Sequence, residues 1–241
     1  LDFSGPTGDT KTELDLDEKD HPRMLVALIY AEGAKHFGIS GRGTINGRGK
    51  TGHYIPFTDG SMKPRPYMFI TYKCEDVWLD GIHMIDPGFW TTDFSQTNHI
   101  RIHGIVTDSW DTNNGDGLDF DSSCNVTISD CIIRSADDAI SLKAQEDYPA
   151  YNYTITNCII EARWAAFRLG TDIINETSNV TMSNCVFKNC VDGLKLQASG
   201  GARFRDMWFS NIVMENVHRP VFTTLSRFRL SKFNDSVRPT I

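Results

Sequence analysis

The chain has 241 residues, with 31 Asp and Glu against 24 Lys and Arg and a formal net charge of −7. That balance excludes a nucleic-acid partner, because phosphate recognition needs a basic face. The longest apolar run, Met24 to Ala31, is too short for a bilayer-spanning helix, so no membrane insertion is expected, and the length suits one substantial core, a single domain over 1–241.

In chain order, Thr12 to Asp20 is polar and acidic from Glu13 onward, and Met24 to Tyr30 is β-like. Phe37 to Ile45 reads as a first coil, Tyr67 to Tyr72 as a strand, and Val77 to Ile82 and Ile100 to Ile105 as further strands. Pro87 to Gln96 and Trp110 to Asp116 read as variable loops, with Trp90, Phe94 and Trp110 expected to flank a cleft or pack against the body. Then the sequence repeats: Asn125-Val-Thr-Ile-Ser-Asp-Cys131, Asn152-Tyr-Thr-Ile-Thr-Asn-Cys158 and Asn179-Val-Thr-Met-Ser-Asn-Cys185 recur at a 27-residue step, and Met207 to Ile212 lies one step on. Short alternating strands broken by Asn, Gly, Asp and Ser, with almost no helical period, predict an all-β solenoid of seven to eight coils.

Each coil carries a second strand. Gly117-Leu-Asp-Phe-Asp121, Ala139-Ile-Ser-Leu-Lys143, Ala166-Phe-Arg-Leu-Gly170 and Gly193-Leu-Lys-Leu-Gln197 align, with Leu118, Ile140, Phe167 and Leu194 inward. Strand side chains alternate faces, so Asp119, Ser141, Arg168 and Lys195 form one outward column, and Asp121, Lys143, Gly170 and Gln197 the next. Asp116 and Asp138 fall at equivalent positions just before these strands, with Asp137 beside Asp138. An Asp-Asp pair by itself reads as a turn. Coils stack about 4.8 Å apart, so in register three carboxylates crowd together, and at least one is expected to hold its proton above the ordinary range. A proton donor beside a water-activating base is what acetal hydrolysis requires.

Cys131, Cys158 and Cys185 share one phase of the repeat and are expected to stack in the core, while Cys124 and Cys190 leave bridges open. His36, His53, His83, His99, His103 and His218 show no metal-ligand spacing, so neither a metal nor a cofactor is expected. Asn125, Asn152, Asn175, Asn179 and Asn234 begin glycosylation sequons, but the three in repeat phase read as structural turn residues.

Asn114-Gly-Asp-Gly-Leu-Asp119, then Ala136-Asp-Asp-Ala-Ile-Ser-Leu-Lys143, and earlier Leu28-Ile-Tyr-Ala-Glu-Gly33 and Ile39-Ser-Gly-Arg-Gly-Thr-Ile-Asn-Gly47, resemble the polygalacturonases of glycoside hydrolase family 28 from about Leu25 to Val217. The resemblance implies a right-handed parallel β-helix and a secreted or periplasmic enzyme, expected to be monomeric, that hydrolyses a pectic polysaccharide with inversion. It implies Asp137 as general acid, with Asp116 and Asp138 positioning and deprotonating the water.

Two positions depart from the family pattern. Where the family has Gly-His-Gly supporting the acid, this chain has Trp164-Ala-Ala166, and where it has Arg-x-Lys gripping the substrate carboxylate, this chain has Lys195-Leu-Gln197. Arg168 either restores a grip on a carboxylate or pairs with Asp119 or Glu161, and Trp164 is either a sugar platform or packing. The expected substrate-binding set is therefore Asn114, Trp164, Arg168, Lys195 and Gln197, with galacturonan, rhamnogalacturonan or a substituted variant as the polymer. A β-helical lyase and a non-catalytic polysaccharide-binding β-helix are the alternatives. With no initiator Met or signal peptide, and only 36 residues ahead of the first coil, the chain is expected to be mature, trimmed or a fragment lacking its N-terminal cap or terminal coils.

Overall fold

The computed structural model describes residues 27–51, 65–145, 148–198 and 201–225. Glu13 to Asp20, the start of the apolar run at Met24 to Val26, His53 and Asn234 lie outside the described residues. What is described is a parallel β-solenoid. One sheet has eight strands: Ala27–Glu32, Tyr67–Tyr72, Thr92–Ser95, Leu118–Asp121, Ile140–Ala144, Ala165–Ile173, Asp192–Ala198 and Arg219–Leu225, each hydrogen-bonded to the strand one coil on. A twelve-stranded sheet wraps the rest, its two arms joined where Glu176–Lys188 and Arg203–Glu215 run unbroken round a corner. Among the described residues no helix is long and apolar enough to cross a membrane.

The 27-residue step is the register itself. Val126 pairs with Tyr153, which pairs with Val180 and then Met207, and Ile128, Ile155, Met182 and Phe209 follow the same line. Alternate residues of most strands enter one core cluster, and Tyr67, Ile70 and Tyr72 form a second on the outer face. In the first, Phe94 lies flat on Phe120 at 5.2 Å between centroids, and Phe120 meets the edge of Tyr153, whose hydroxyl donates to the Ser123 carbonyl at 2.7 Å. Phe94 was expected in a loop. Instead the period-two pair Thr92 and Phe94 makes a strand and buries the ring completely, so the loop is confined to the residues before Thr92.

The turns explain the recurring Asn. Asn125, Asn152 and Asn179 all have φ near +55 to +62°, the left-handed conformation that Asn tolerates better than other L residues. Their amides also ladder: Asn152 donates to Asn125 at 2.8 Å and Asn179 to Asn152 at 2.9 Å. The structural reading of this Asn therefore holds. All six cysteines are free, and Cys131, Cys158 and Cys185 are buried in the expected stack.

Candidate active site

The eight-stranded sheet carries the charged columns, and its register matches the sequence alignment through the first three residues of each strand. Asp119 pairs across to Ser141, Ser141 to Arg168, Arg168 to Lys195 and Lys195 to Phe222. The alignment of Lys143 with Gly170 is not kept: the register shifts after Leu142, and Ala144 pairs with Ile173. These side chains point away from the solenoid core, yet they are not solvated. Asp119, Ser141, Lys143, Lys195 and Gln197 are all buried, and aromatic rings lie over the two lysines. Phe89 and Trp90 stack on each other and edge onto Tyr67, and the Lys143 ammonium sits 4.0 Å from the Trp90 ring centroid.

Asp116 reaches this face through a tight loop. Ser109 donates to the Gly115 carbonyl at 2.6 Å, the Gly115 amide returns to Thr112 at 2.9 Å, and Thr112 anchors the loop to Pro87 at 3.0 Å. Gly117 then lets two coils meet closely: a Cβ there would lie 2.4 Å from the Ala139 carbonyl oxygen. The Gly117 amide donates to the Asp138 carbonyl at 2.9 Å, which sets Asp116 level with Asp138 on the next coil. Asn114, at φ +55°, turns its side chain to donate to Asp137 at 3.4 Å and to accept from Arg65 at 3.0 Å.

The three carboxylates meet as expected from the sequence. Burial, then the charges of Asp119, Asp138 and Asp137, push the Asp116 carboxyl well above the ordinary range. Burial and Asp138 raise Asp137 as well, against the opposing pull of Arg168 and the Asn114 hydrogen bond. Asp138, itself buried, takes an ion pair from Arg168 at 2.5 Å on Oδ2, while its Oδ1 is buried with no hydrogen bond within the protein. Ser141 Oγ is buried and unbonded in the same way. Buried polar atoms are nearly always paired, so unbonded acceptors beside a carboxylate cluster mark a place for water or a hydroxylated ligand.

The cationic end differs in detail from the sequence reading. Arg168 pairs with neither Asp119 nor Glu161: Asp119 is bonded to Lys143, and Glu161 takes Arg134 at 3.1 Å. It reaches Asp138 on one side and Gln197 at 3.4 Å on the other. Lys195 is held by Asp192 at 3.3 Å under the half-exposed Trp164 ring, 4.3 Å from its centroid, and burial followed by Arg168 lowers its pKa. Asp192, fully buried, also takes two bonds from Arg219, at 2.5 and 2.9 Å. Asp192, Arg219 and Arg65 were not singled out from the sequence. The first two were within its reach, since Asp138, Ala165, Asp192 and Arg219 follow at 27-residue steps; nothing in the sequence pointed to Arg65.

Known proteins resemble the chain over most of its length. A family model described as glycosyl hydrolases family 28 matches residues 7–226. A Vitis vinifera protein named as a probable polygalacturonase is 29% identical over 124 residues, 50% of this chain and 25% of that protein. A family 28 exopolygalacturonase from Yersinia enterocolitica superposes with a TM-score of 0.73 at 18% identity, covering 85% of this chain and 45% of the other. A hyperthermoactive exopolygalacturonase from Thermotoga maritima gives 0.74 at 16% identity, covering 90% and 59%. The chain thus spans about a quarter of the matched relative and about half of each solved structure.

Proposed function

The chain belongs to glycosyl hydrolases family 28, and from that premise we propose that it hydrolyses glycosidic bonds in a pectic polysaccharide, with inversion, by paired carboxylates. One observation carries the reading: buried Asp116 and Asp138 and part-buried Asp137 share a cluster in which Asp116 and Asp137 are driven toward the protonated form while Asp138 is ion-paired with Arg168. Asp137, holding its proton, protonates the leaving oxygen. Asp138 keeps Oδ1 unbonded for the attacking water and acts as base, and Asp116 hydrogen-bonds that water. Asn114 orients the Asp137 carboxyl. Lys195 and Gln197 line the cationic end of the cleft, where the exposed part of Trp164 offers a sugar ring a flat apolar face.

The polymer follows from the charges. Lys195 is already engaged by Asp192, and Arg168 by Asp138, so the cationic end is weaker than a pair of uncommitted cations. A rhamnogalacturonan or a substituted galacturonan suits it better than a uniformly charged chain. The carboxylates and cations lie on the outward face of the solenoid's eight-stranded sheet, and the enzyme works as a secreted or periplasmic monomer.

The test is a panel of galacturonan, rhamnogalacturonan and substituted pectins, scored for new reducing ends and, by NMR, for the first-formed anomer. Inverted product from at least one polymer is expected, reduced by ~10³-fold in the Asp137→Asn variant. A retained anomer overturns the mechanism. An unsaturated product absorbing in the ultraviolet replaces hydrolysis with a lyase, and binding without turnover leaves a non-catalytic carbohydrate-binding protein.

A further inference from the structure

One edge of the eight-stranded sheet follows the 27-residue step: Asp138 lies one step before Ala165, whose carbonyl accepts from the Ala139 amide at 2.8 Å, and Ala165 pairs with Asp192 and Asp192 with Arg219. Three of these four positions carry charge, and Ala165, fully buried, carries none. Asp138 therefore has no polar neighbour in its own column on the side of Ala165. The gap is met from the next column. Arg168, three residues after Ala165 on the same strand, lays its guanidinium back so that Nη1 lies 2.5 Å from Asp138 Oδ2, and sends Nη2 forward to Gln197 Oε1 at 3.4 Å.

We infer that Arg168 is a positioning residue, matched to the small Ala165, that fixes Asp138 through one carboxylate oxygen and leaves the other for the attacking water, rather than a residue that grips the substrate. The inference rests on the hydrolytic reading of the site. Both terminal nitrogens of Arg168 are committed within the protein, and its side chain is only 14% exposed, so a substrate carboxylate finds no open fork-shaped face. Burial works against the guanidinium charge, but Asp138, then Asp137 and Asp116, more than offset it. A guanidinium so placed is held as firmly as it holds. Its length matters: spanning from the coil of Asp138 to the coil of Gln197 needs two nitrogens on a planar fork, which an ammonium does not supply. Asp138 Oδ1 and Ser141 Oγ are both buried without a hydrogen bond in the protein, so the carboxylate oxygen that Arg168 does not hold is the one left for water.

The experiment uses Arg168→Ala and Arg168→Lys in the full chain, assayed on the polymer that the wild type cleaves, with and without guanidinium ion at sub-denaturing concentration. A positioning role predicts kcat lower by ~100-fold, in keeping with the cost of a displaced catalytic group, with KM nearly unchanged. It also predicts partial rescue of Arg168→Ala by free guanidinium and little recovery in Arg168→Lys. Calorimetric binding of the same polymer to Asp137→Asn and to Asp137→Asn/Arg168→Ala is expected to give equal affinities. A raised KM with kcat retained, or a weaker affinity in the double variant, makes Arg168 a substrate grip and overturns the inference. A loss of kcat that guanidinium does not restore, with a lowered melting temperature, makes it structural and overturns it too. A wild type that cleaves no polymer defeats the hydrolytic reading instead, which separates the two failures.

Discussion

At the turn of the twelve-stranded sheet, Asn125, Asn152 and Asn179 place the same residue in the same left-handed conformation on three coils, each amide satisfied by the one before. At the edge of the eight-stranded sheet the same 27-residue step runs Asp138, Ala165, Asp192, Arg219, with no two successive coils alike and a buried carboxylate oxygen left unbonded. Both regions are products of one repeat. Where the repeat copies itself the hydrogen bonds close and the structure is held; where it refuses to copy, charge accumulates and bonding is left open for a ligand. Concavity does not make this distinction. An open trough of about 960 Å³ lies over the uniform region, along Asn125, Asn152, Thr154 and Asn179, away from the carboxylates.

The contrast breaks most severely at Gly117, where the variable edge is pressed coil against coil. A methyl group there would meet the Ala139 carbonyl oxygen at 2.4 Å and the Ile133 side chain at 2.8 Å. Gly117→Ala is expected to cost ~1–3 kcal/mol, the usual price of overpacking. It should also separate Asp116 from Asp138 and lower turnover by ~100-fold. Thermal unfolding and a reducing-end assay read both, and wild-type values in either would mean that the two coils are not held in register by this contact.

A gentler cut falls in the uniform region. Asn152 gives one amide bond and receives another, at φ +62°. Asn152→Ala should lose about 1 kcal/mol of stability, with Asn152→Gly recovering the backbone part of that loss, and neither should change kcat or KM. A change in turnover from either variant would tie the ladder to the cleft and erase the distinction between the regions.

Much of this was legible in the sequence because a solenoid converts sequence spacing directly into spatial adjacency. The constant 27-residue step puts the Cys column in the core and Arg168 between Ser141 and Lys195, and the shorter 22-residue step between the preceding aligned strands puts Asp116 beside Asp138. What spacing does not encode is which side chain reaches diagonally. Arg168 turned to Asp138 rather than to Asp119 or Glu161, because Lys143 and Arg134 were already there. Nor does it encode what covers a face. Lys143 is covered by Trp90, stacked on Phe89 in a loop that lies outside the repeat, and that same loop hid the strand containing Phe94. Arg65, holding Asn114 from a non-repeating segment, has no register to reveal it.

The smallest expected effect tests whether the variable edge is costly to the fold. Asp116 is buried among carboxylates, and its folded-state pKa is raised by that burial and by Asp119, Asp138 and Asp137. A carboxyl raised in the fold contributes its full stability below its unfolded pKa of about 3.9, and loses that contribution as pH rises through the folded value. The wild type is thus penalised at neutral pH for a group that the catalytic cluster needs. Asp116→Asn removes the titration while keeping the shape. It should be more stable than wild type at pH 7 by up to ~1 kcal/mol, and the advantage should shrink toward zero near pH 4, when urea midpoints are compared at the two values. An advantage that persisted at low pH would trace to packing rather than to charge. A variant less stable at pH 7 would mean that the Asp116 carboxylate is stabilised where it lies, and that the unsatisfied edge costs the fold nothing.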